Sequence, residues 1–162
     1  MNDAAMKSSM QEIVVDEVFP HAPETIWKIL TSGELMNRWL MPQEGFAPVK
    51  GRHFTFQTKP DGDWDGVIRC QVLEITPNER LVHSWKSGHQ SNAGYVSRLD
   101  TVVAWTLMRN DGGTRLRLVH SGFAMPKNVS VFQNISEGWP KVIRKMIAIA
   151  AEEADVAAGK NP

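Results

Sequence analysis

The sequence has no charge excess, no second cysteine and no long apolar run, and each lack sets aside a class of protein. Eighteen Lys and Arg balance eighteen Asp and Glu, for a formal charge of +0 and a pI near 7.0. Nucleic-acid binders draw affinity from a basic excess that releases counterions, so no nucleic-acid partner is expected. Cys70 stands alone and cannot form an internal disulfide, which fits a reducing compartment. Ile68 and Val72 beside it point to an inert buried thiol, since a nucleophilic one needs a base and an electropositive setting. No segment approaches a membrane span, and the opening "MNDAAMKSSMQE" has no run of signal-peptide length. A cytoplasmic location is therefore expected, and the glycosylation patterns at Asn128 and Asn134 carry no meaning there. The glycine-rich dinucleotide and phosphate loops, the H-E-x-x-H zinc helix and the G-x-S-x-G elbow do not occur. No metal or organic cofactor is expected, and the weight lies against an enzyme without deciding the question.

What is present has the length for one domain, expected over residues 11–157 between polar tails at 1–10 and 158–162. "QEIVVDEVF" is rich in β-branched residues and predicts a first strand, which "PHAP" breaks. Pro23 suits the first turn of a helix, "PETIWKILTS", with Gly33 stopping it and "GELMNRWLM" forming a second short helix. Strands follow through the middle: "GRHFTFQT" with Phe54 and Phe56 on one face, then "GVIRCQVLEI", whose apolar residues fall on both parities. That double parity points to a bulge or to cover on both faces. "LVHSW" aligns Leu81, His83 and Trp85, and "LDTVVAWTLM" aligns Leu99, Val103, Trp105 and Leu107. "RNDGG" is a hairpin turn, so these strands form an antiparallel meander. The period then changes. Trp139, Val142, Ile143, Met146, Ile149 and Ala150 recur at helical spacing, which predicts a long amphipathic helix over "NVSVFQNISEGWPKVIRKMIAIAAEEA". Pro140 inside it predicts a kink or a late helix start. The sum is an α+β domain whose sheet needs cover on one face, and only the last helix is long enough to supply it.

"GGTRLRLVHSGF" bears most directly on function. Alternation places Leu116, Leu118 and His120 on the apolar face and Arg115 and Arg117 opposite, toward water. His120 therefore looks inward, either as a core histidine with its ring nitrogens satisfied or as a polar group orienting a ligand. General acid–base catalysis by His120 lacks an obvious carboxylate partner. His83 looks inward beside Trp85, whereas His21 and His53 read as loop and surface residues. A zinc site on His83 and His89 has neither cysteine nor carboxylate at ligand spacing. Six tryptophans are many for this length, and Trp27, Trp85, Trp105 and Trp139 fall on apolar faces, where they fill a core, line a pocket, or do both.

Four stretches in order, "APETIWKILTSGELMNRWL", "VLEITPNERLVHSW", "GGTRLRLVHSGF" and "EGWPKVIRKM", make residues 11–152 similar to a known family. The sequence resembles the SRPBCC superfamily, in particular proteins homologous to the C-terminal domain of the activator of the heat-shock-protein-90 ATPase. The resemblance implies a START-like, pollen-allergen-like helix-grip fold: a curved antiparallel sheet of about seven strands around a long C-terminal helix, with two short helices plugging one end. It also implies a cavity between sheet and helix that holds an apolar small molecule. The fold hosts binders, cyclases and chaperone partners, so it does not by itself fix a function. The residues expected along the cavity are Leu30, Trp39, Phe54, Phe56, Trp85, Val103, Trp105, Leu118, His120, Trp139, Ile143 and Met146. Ligand binding is the leading expectation, with no defined catalysis. A co-chaperone-like protein-interaction module is the alternative, held to be the weaker expectation because these 162 residues do not include the separate N-terminal domain that the resemblance implies for the chaperone activators. A cyclase- or hydrolase-like enzyme using His120, Arg52 or Tyr95 comes third.

Overall fold

The computed structural model describes residues 9–157, apart from the side chains of Tyr95 and Ala157. Of the expected tails at 1–10 and 158–162, residues 1–8 and 158–162 lie outside the described residues, and Met10 already belongs to the first strand. In chain order the elements are β1 (Met10–Phe19), α1 (Pro23–Leu30), α2 (Gly33–Trp39), β2 (Gln43–Glu44), β3 (His53–Gln57), β4 (Val67–Thr76), β5 (Arg80–Ser87), a 3-10 turn (Gly94–Val96), β6 (Leu99–Asn110), β7 (Gly113–Ala124) and α3 (Val129–Ala157). Seven strands form one antiparallel sheet in the order β1-β7-β6-β5-β4-β3-β2. This is the helix-grip arrangement: a meander from β2 to β7, the first strand laid beside the last, and a long helix across the apolar face.

Local chemistry sets the joints. The β6–β7 hairpin closes through Asp111 and Gly112, both at positive φ, the two-residue loop that matches the twist of paired strands. Register slips between Val72 and Glu74, and that bulge explains the double parity of β4. Before it Ile68, Cys70 and Val72 point inward; after it Leu73 and Ile75 take over, half-buried. Burial pushes the Cys70 thiol far above its usual range, as befits an inert core residue. On β7 the two faces separate as expected. Leu116, Leu118 and His120 are buried, while Arg115 reaches across to β1 and grips Asp16 with bonds of 2.9 and 2.7 Å. That guanidinium holds the Asp16 carboxyl below the ordinary carboxylate range.

Pro23 opens α1, which ends at Leu30, two residues earlier than "PETIWKILTS" implied. Ser32 then caps α2 by accepting from Leu35 N at 3.1 Å, so Gly33 begins the second helix. α3 starts at Val129 and runs through Pro140, which excludes a late start at the proline. Its start is held by Asn128, only 2% exposed, whose amide donates to Ser97 Oγ (3.1 Å) and Arg98 O (3.0 Å) and accepts from Ala124 N (2.9 Å). At its far end Lys28 meets Glu153 and Arg38 meets Glu152, each at 3.1 Å, tying both short helices to α3.

Candidate ligand-binding cavity

Alternation on β5, β6 and β7 aims Trp85, Thr101 and His120 at the same side of the sheet, beneath Trp139 of α3. A chain of hydrogen bonds joins them. The Thr101 hydroxyl donates to the Trp85 carbonyl (2.8 Å) and lies 2.8 Å from His120 Nε2. The Trp139 indole N–H donates to His120 Nδ1 at 3.0 Å. One tautomer satisfies this order. Nδ1 accepts, so Nε2 carries the proton and donates to Thr101, whose own proton is spent on the carbonyl. His120 is 0% exposed with both ring nitrogens engaged, and a second proton would break the Trp139 bond. Burial and the neighbouring His83 hold its pKa down to about 3. His83, whose ring lies 3.0 Å from the Ser84 carbonyl, is held by burial at about 4. Neither histidine is set up to exchange protons near neutral pH.

Around this seam aromatic rings meet edge to face. Trp39 contacts Trp105, Trp105 contacts Trp139, and Phe54 contacts Phe56, at centroid distances of 5.8, 5.5 and 5.7 Å. Trp85 touches Phe56, His120 and Trp139. Its indole differs from the others in one respect. Trp85 is 4% exposed, yet its Nε1–H has no acceptor, and it is the one such buried side-chain nitrogen or oxygen among the described residues. Trp39 and Trp64 place theirs on the carbonyls of Ile29 and Val67.

Trp85 also forms part of a cavity wall. A space of about 560 Å³ opens between the start of α3 and the sheet, lined by Met41, Trp64, Ile68, Trp85, Val96, Val131, Asn134 and Ile135. Thr58, Lys59, Pro60 and Asp61 form one rim, with Ser87 and Gly88 on another side. A smaller space of about 140 Å³ continues along α3 past Leu40, Gly138, Trp139 and Val142, sharing Met41, Trp85, Asn134 and Ile135 with the first. This size and mostly apolar wall suit a small organic molecule. Two loops frame the rim. Asn92 donates to the Asp61 carbonyl (3.1 Å) and accepts from Asp63 N (3.3 Å), while the Ser91 hydroxyl donates to Asp63. His89 also contacts Ser91, but here the carboxylate takes the serine proton instead of orienting the histidine, so the trio is a clasp without triad connectivity. Gly88, at φ 72°, lets the second loop turn against the backbone of Ser97, where a Cβ would lie 2.1 Å from the carbonyl oxygen.

The family model described as Activator of Hsp90 ATPase homolog 1-like protein matches residues 20–151. The chain belongs to that family. Protein MLL2253 from Mesorhizobium loti is 34% identical, over 84% of this chain and 93% of that one, with a TM-score of 0.73. The Aha1 dimer from Colwellia psychrerythraea superposes with a TM-score of 0.64 at 18% identity, covering 84% and 92% of the two chains. CalU16 from Micromonospora echinospora gives 0.64 at 19% identity, covering 93% and 88%. The latter two likenesses concern the fold alone. No curated protein matched.

Within this family fold, the twelve residues expected along a cavity divide unequally. Trp85 and Trp139 lie on the walls of the spaces described. Leu30, Trp39, Phe54, Phe56, Val103, Trp105, Leu118, His120, Ile143 and Met146 are buried behind them in the packed core and do not line either space. The physical reason is volume: large rings fill the middle of the sheet's apolar face, and the two spaces described lie along the N-terminal half of α3. Arg52 is exposed and donates to the Gly45 carbonyl at 2.6 Å, away from these walls, and the Tyr95 side chain lies outside the described set. Sequence reasoning missed Met41, the 58–64 loop, Val131 and Ile135. A signal for the last two existed, since Val131, Ile135, Trp139 and Ile143 recur every four residues on one helix face. The loop residues carried none. Among the described residues no group of three or more His, Cys, Asp or Glu side chains is arranged to hold a metal, and no helix is long and apolar enough to cross a membrane.

Proposed function

We propose that this protein binds an apolar small molecule in the space between the sheet and the first turns of α3. The observation that carries this reading is the apolar wall of Met41, Ile68, Trp85, Val131 and Ile135 around about 560 Å³. Trp139 extends the wall, and the other residues expected along the cavity brace it from behind. The engaged, deeply buried His120 offers no proton-transfer group, so the reading is of binding without catalysis by that residue. The one buried, unpaired cysteine favours a cytoplasmic setting. The test is direct: native mass spectrometry of freshly purified protein for a co-purified ligand, together with titration of Nile red. Dye fluorescence that rises with protein and is lost in Ile135→Trp, with the fold retained, supports the reading. A folded protein that excludes the dye and carries no small molecule overturns it. Membership of the co-chaperone-like family favours a second reading, a protein-interaction module, and predicts that second outcome.

A further inference from the structure

Positive charge on the long strands is matched everywhere but in one place. On β4–β7, Arg69, Arg80, Arg109, Arg115 and Arg117 each meet a carboxylate, from Asp65, Glu74, Glu24 and, for the last two, Asp16. Among the described residues Lys86 of β5 makes no ion pair, and neither does Arg98, just ahead of β6. Lys86 also stands directly opposite Arg69 on the neighbouring strand, and like charges so placed repel. Its partner on β6 is Asp100, yet the two do not come within ion-pair distance. These side chains share a cleft. A space of about 290 Å³ is bordered by Arg69, Lys86, Arg98 and Asp100, with Trp64 and Val67 as an apolar wall. All four charged residues are exposed, so their charged ends are within reach of a solute, and the two apolar ones are half-buried. Three cations against one carboxylate give the cleft a positive excess on a chain that is neutral overall. Asp65, outside the cleft, engages one terminal nitrogen of Arg69 at 2.8 Å and leaves the rest of the guanidinium fork unbonded. Trp64 is fixed by its indole bond to the Val67 carbonyl at 2.9 Å.

We propose that this cleft binds a small organic oxyanion, a carboxylate or phosphate carried on an apolar body. Arg69, Lys86 and Arg98 hold the oxygens, and the body lies against Trp64 and Val67. An oxyanion between Lys86 and Arg69 replaces their repulsion with a shared attraction, and guanidinium forks match its oxygens. Arg69, Lys86 and Asp100 alternate with the inward Ile68, Trp85 and Leu99, so the cleft opens on the side of the sheet away from α3. Only Trp64, Ser87 and Gly88 border both this cleft and the apolar cavity, so the site stands or falls independently of the cavity reading.

Titration of ¹⁵N-labelled protein with phenyl phosphate and with benzoate tests this, with inorganic phosphate, acetate and benzyl alcohol as controls. At low salt at least one aromatic anion is expected to shift the amides of 67–69, 86–88 and 98–100 saturably, and the tighter one identifies the head group. Its own control without the ring should bind more weakly, and uncharged benzyl alcohol should leave these amides in place. Lys86→Gln and Arg98→Gln should each weaken binding about threefold, and Asp100→Asn should tighten it about twofold, the scale of exposed charge pairs. A gain in affinity cannot come from a damaged fold. Arg115→Gln, a cation outside the cleft, should leave the affinity unchanged, and added salt should weaken binding. Absence of a saturable shift with either aromatic anion overturns the site, as do shifts that benzyl alcohol reproduces. Affinities that are equal in the parent, Lys86→Gln and Asp100→Asn overturn it too, as does an equal loss in Arg115→Gln. Phosphate and acetate that bind as tightly as their aromatic counterparts overturn the apolar body.

Discussion

The two halves of α3 meet the same sheet and end in opposite conditions. Toward its C-terminus Ile143, Met146, Ile149 and Ala150 are fully or nearly fully buried, and α1 and α2 close over them with Lys28–Glu153 and Arg38–Glu152 ion pairs. Toward its N-terminus Ile135 and Phe132 are only half-buried, and loops instead of helices complete the enclosure. Both halves carry the same apolar stripe. What differs is the cover: helices bring side chains at close, regular spacing and fill volume, whereas the 58–66 and 88–98 loops satisfy each other through Asn92 and Asp63 and leave a space behind them. Packing therefore concentrates stability at one end and room for a ligand at the other.

Truncation should expose that contrast most sharply. Trp139→Ala, at the boundary of the two halves, removes a buried indole and the donor to His120, and should cost about 3–5 kcal/mol. Ile143→Ala, inside the closed half, should cost about 2–5 kcal/mol. Ile135→Ala, on the open half, should cost less than about 1.5 kcal/mol because its side chain already borders free space. Urea unfolding with an unchanged slope measures all three; equal losses at Ile143 and Ile135 would erase the distinction.

Acid should attack the polar seam between the halves. His83 and His120 have pKa values lowered by burial to about 4 and about 3, from 6.5. Between those values and 6.5 the unfolded chain binds more protons than the folded one, so stability falls as pH falls. Each histidine should contribute a loss of about 2 kcal/mol between pH 6.5 and 5, a window above most carboxylate titration. Denaturant midpoints across that range check this, and His120→Asn should flatten the dependence. A flat profile in the parent protein would mean that the seam is hydrated.

Filling the open half should change binding more than stability. Ile135→Trp should abolish Nile red binding while moving stability by no more than about 1 kcal/mol. The same substitution at Val103 or Leu118, both 0% exposed, should instead overpack the core and unfold it before any cavity is filled. The smallest effect is expected from the outer face. Changing Arg115 and Arg117 to Gln removes an exposed pairing with Asp16, and the unfolding midpoint should move less than in any variant above, and less still at high salt. Binding of Nile red should not change; a large loss would place the arginines at the ligand.

Some of this was legible in the residues alone. Strand parity assigned the faces of Arg115, Leu116, Arg117, Leu118 and His120, because side chains alternate whatever the partner strand. Helical spacing identified α3, and mixed parity left a bulge or cover on both faces as the alternatives, of which the bulge at Val72–Glu74 is the one observed. The antiparallel meander followed from its turns. The pairing of β1 with β7 was not legible, since the two strands are separated by most of the chain and no local feature joins them.

The position of the cavity was not legible. Sequence pattern says which side chains turn inward, and all twelve expected residues did so. Whether an inward residue borders space or another ring depends on how volumes add across five or six elements, and no local pattern encodes that sum. The same holds for polar partners: the sequence marked His120 as inward, but only the folded chain brought Thr101 and Trp139 to its two nitrogens and left Trp85 Nε1 with none. Direction is a property of the backbone period and is written in the sequence, whereas free volume and hydrogen-bond partners arise from contacts between distant residues and are decided only when the chain closes on itself.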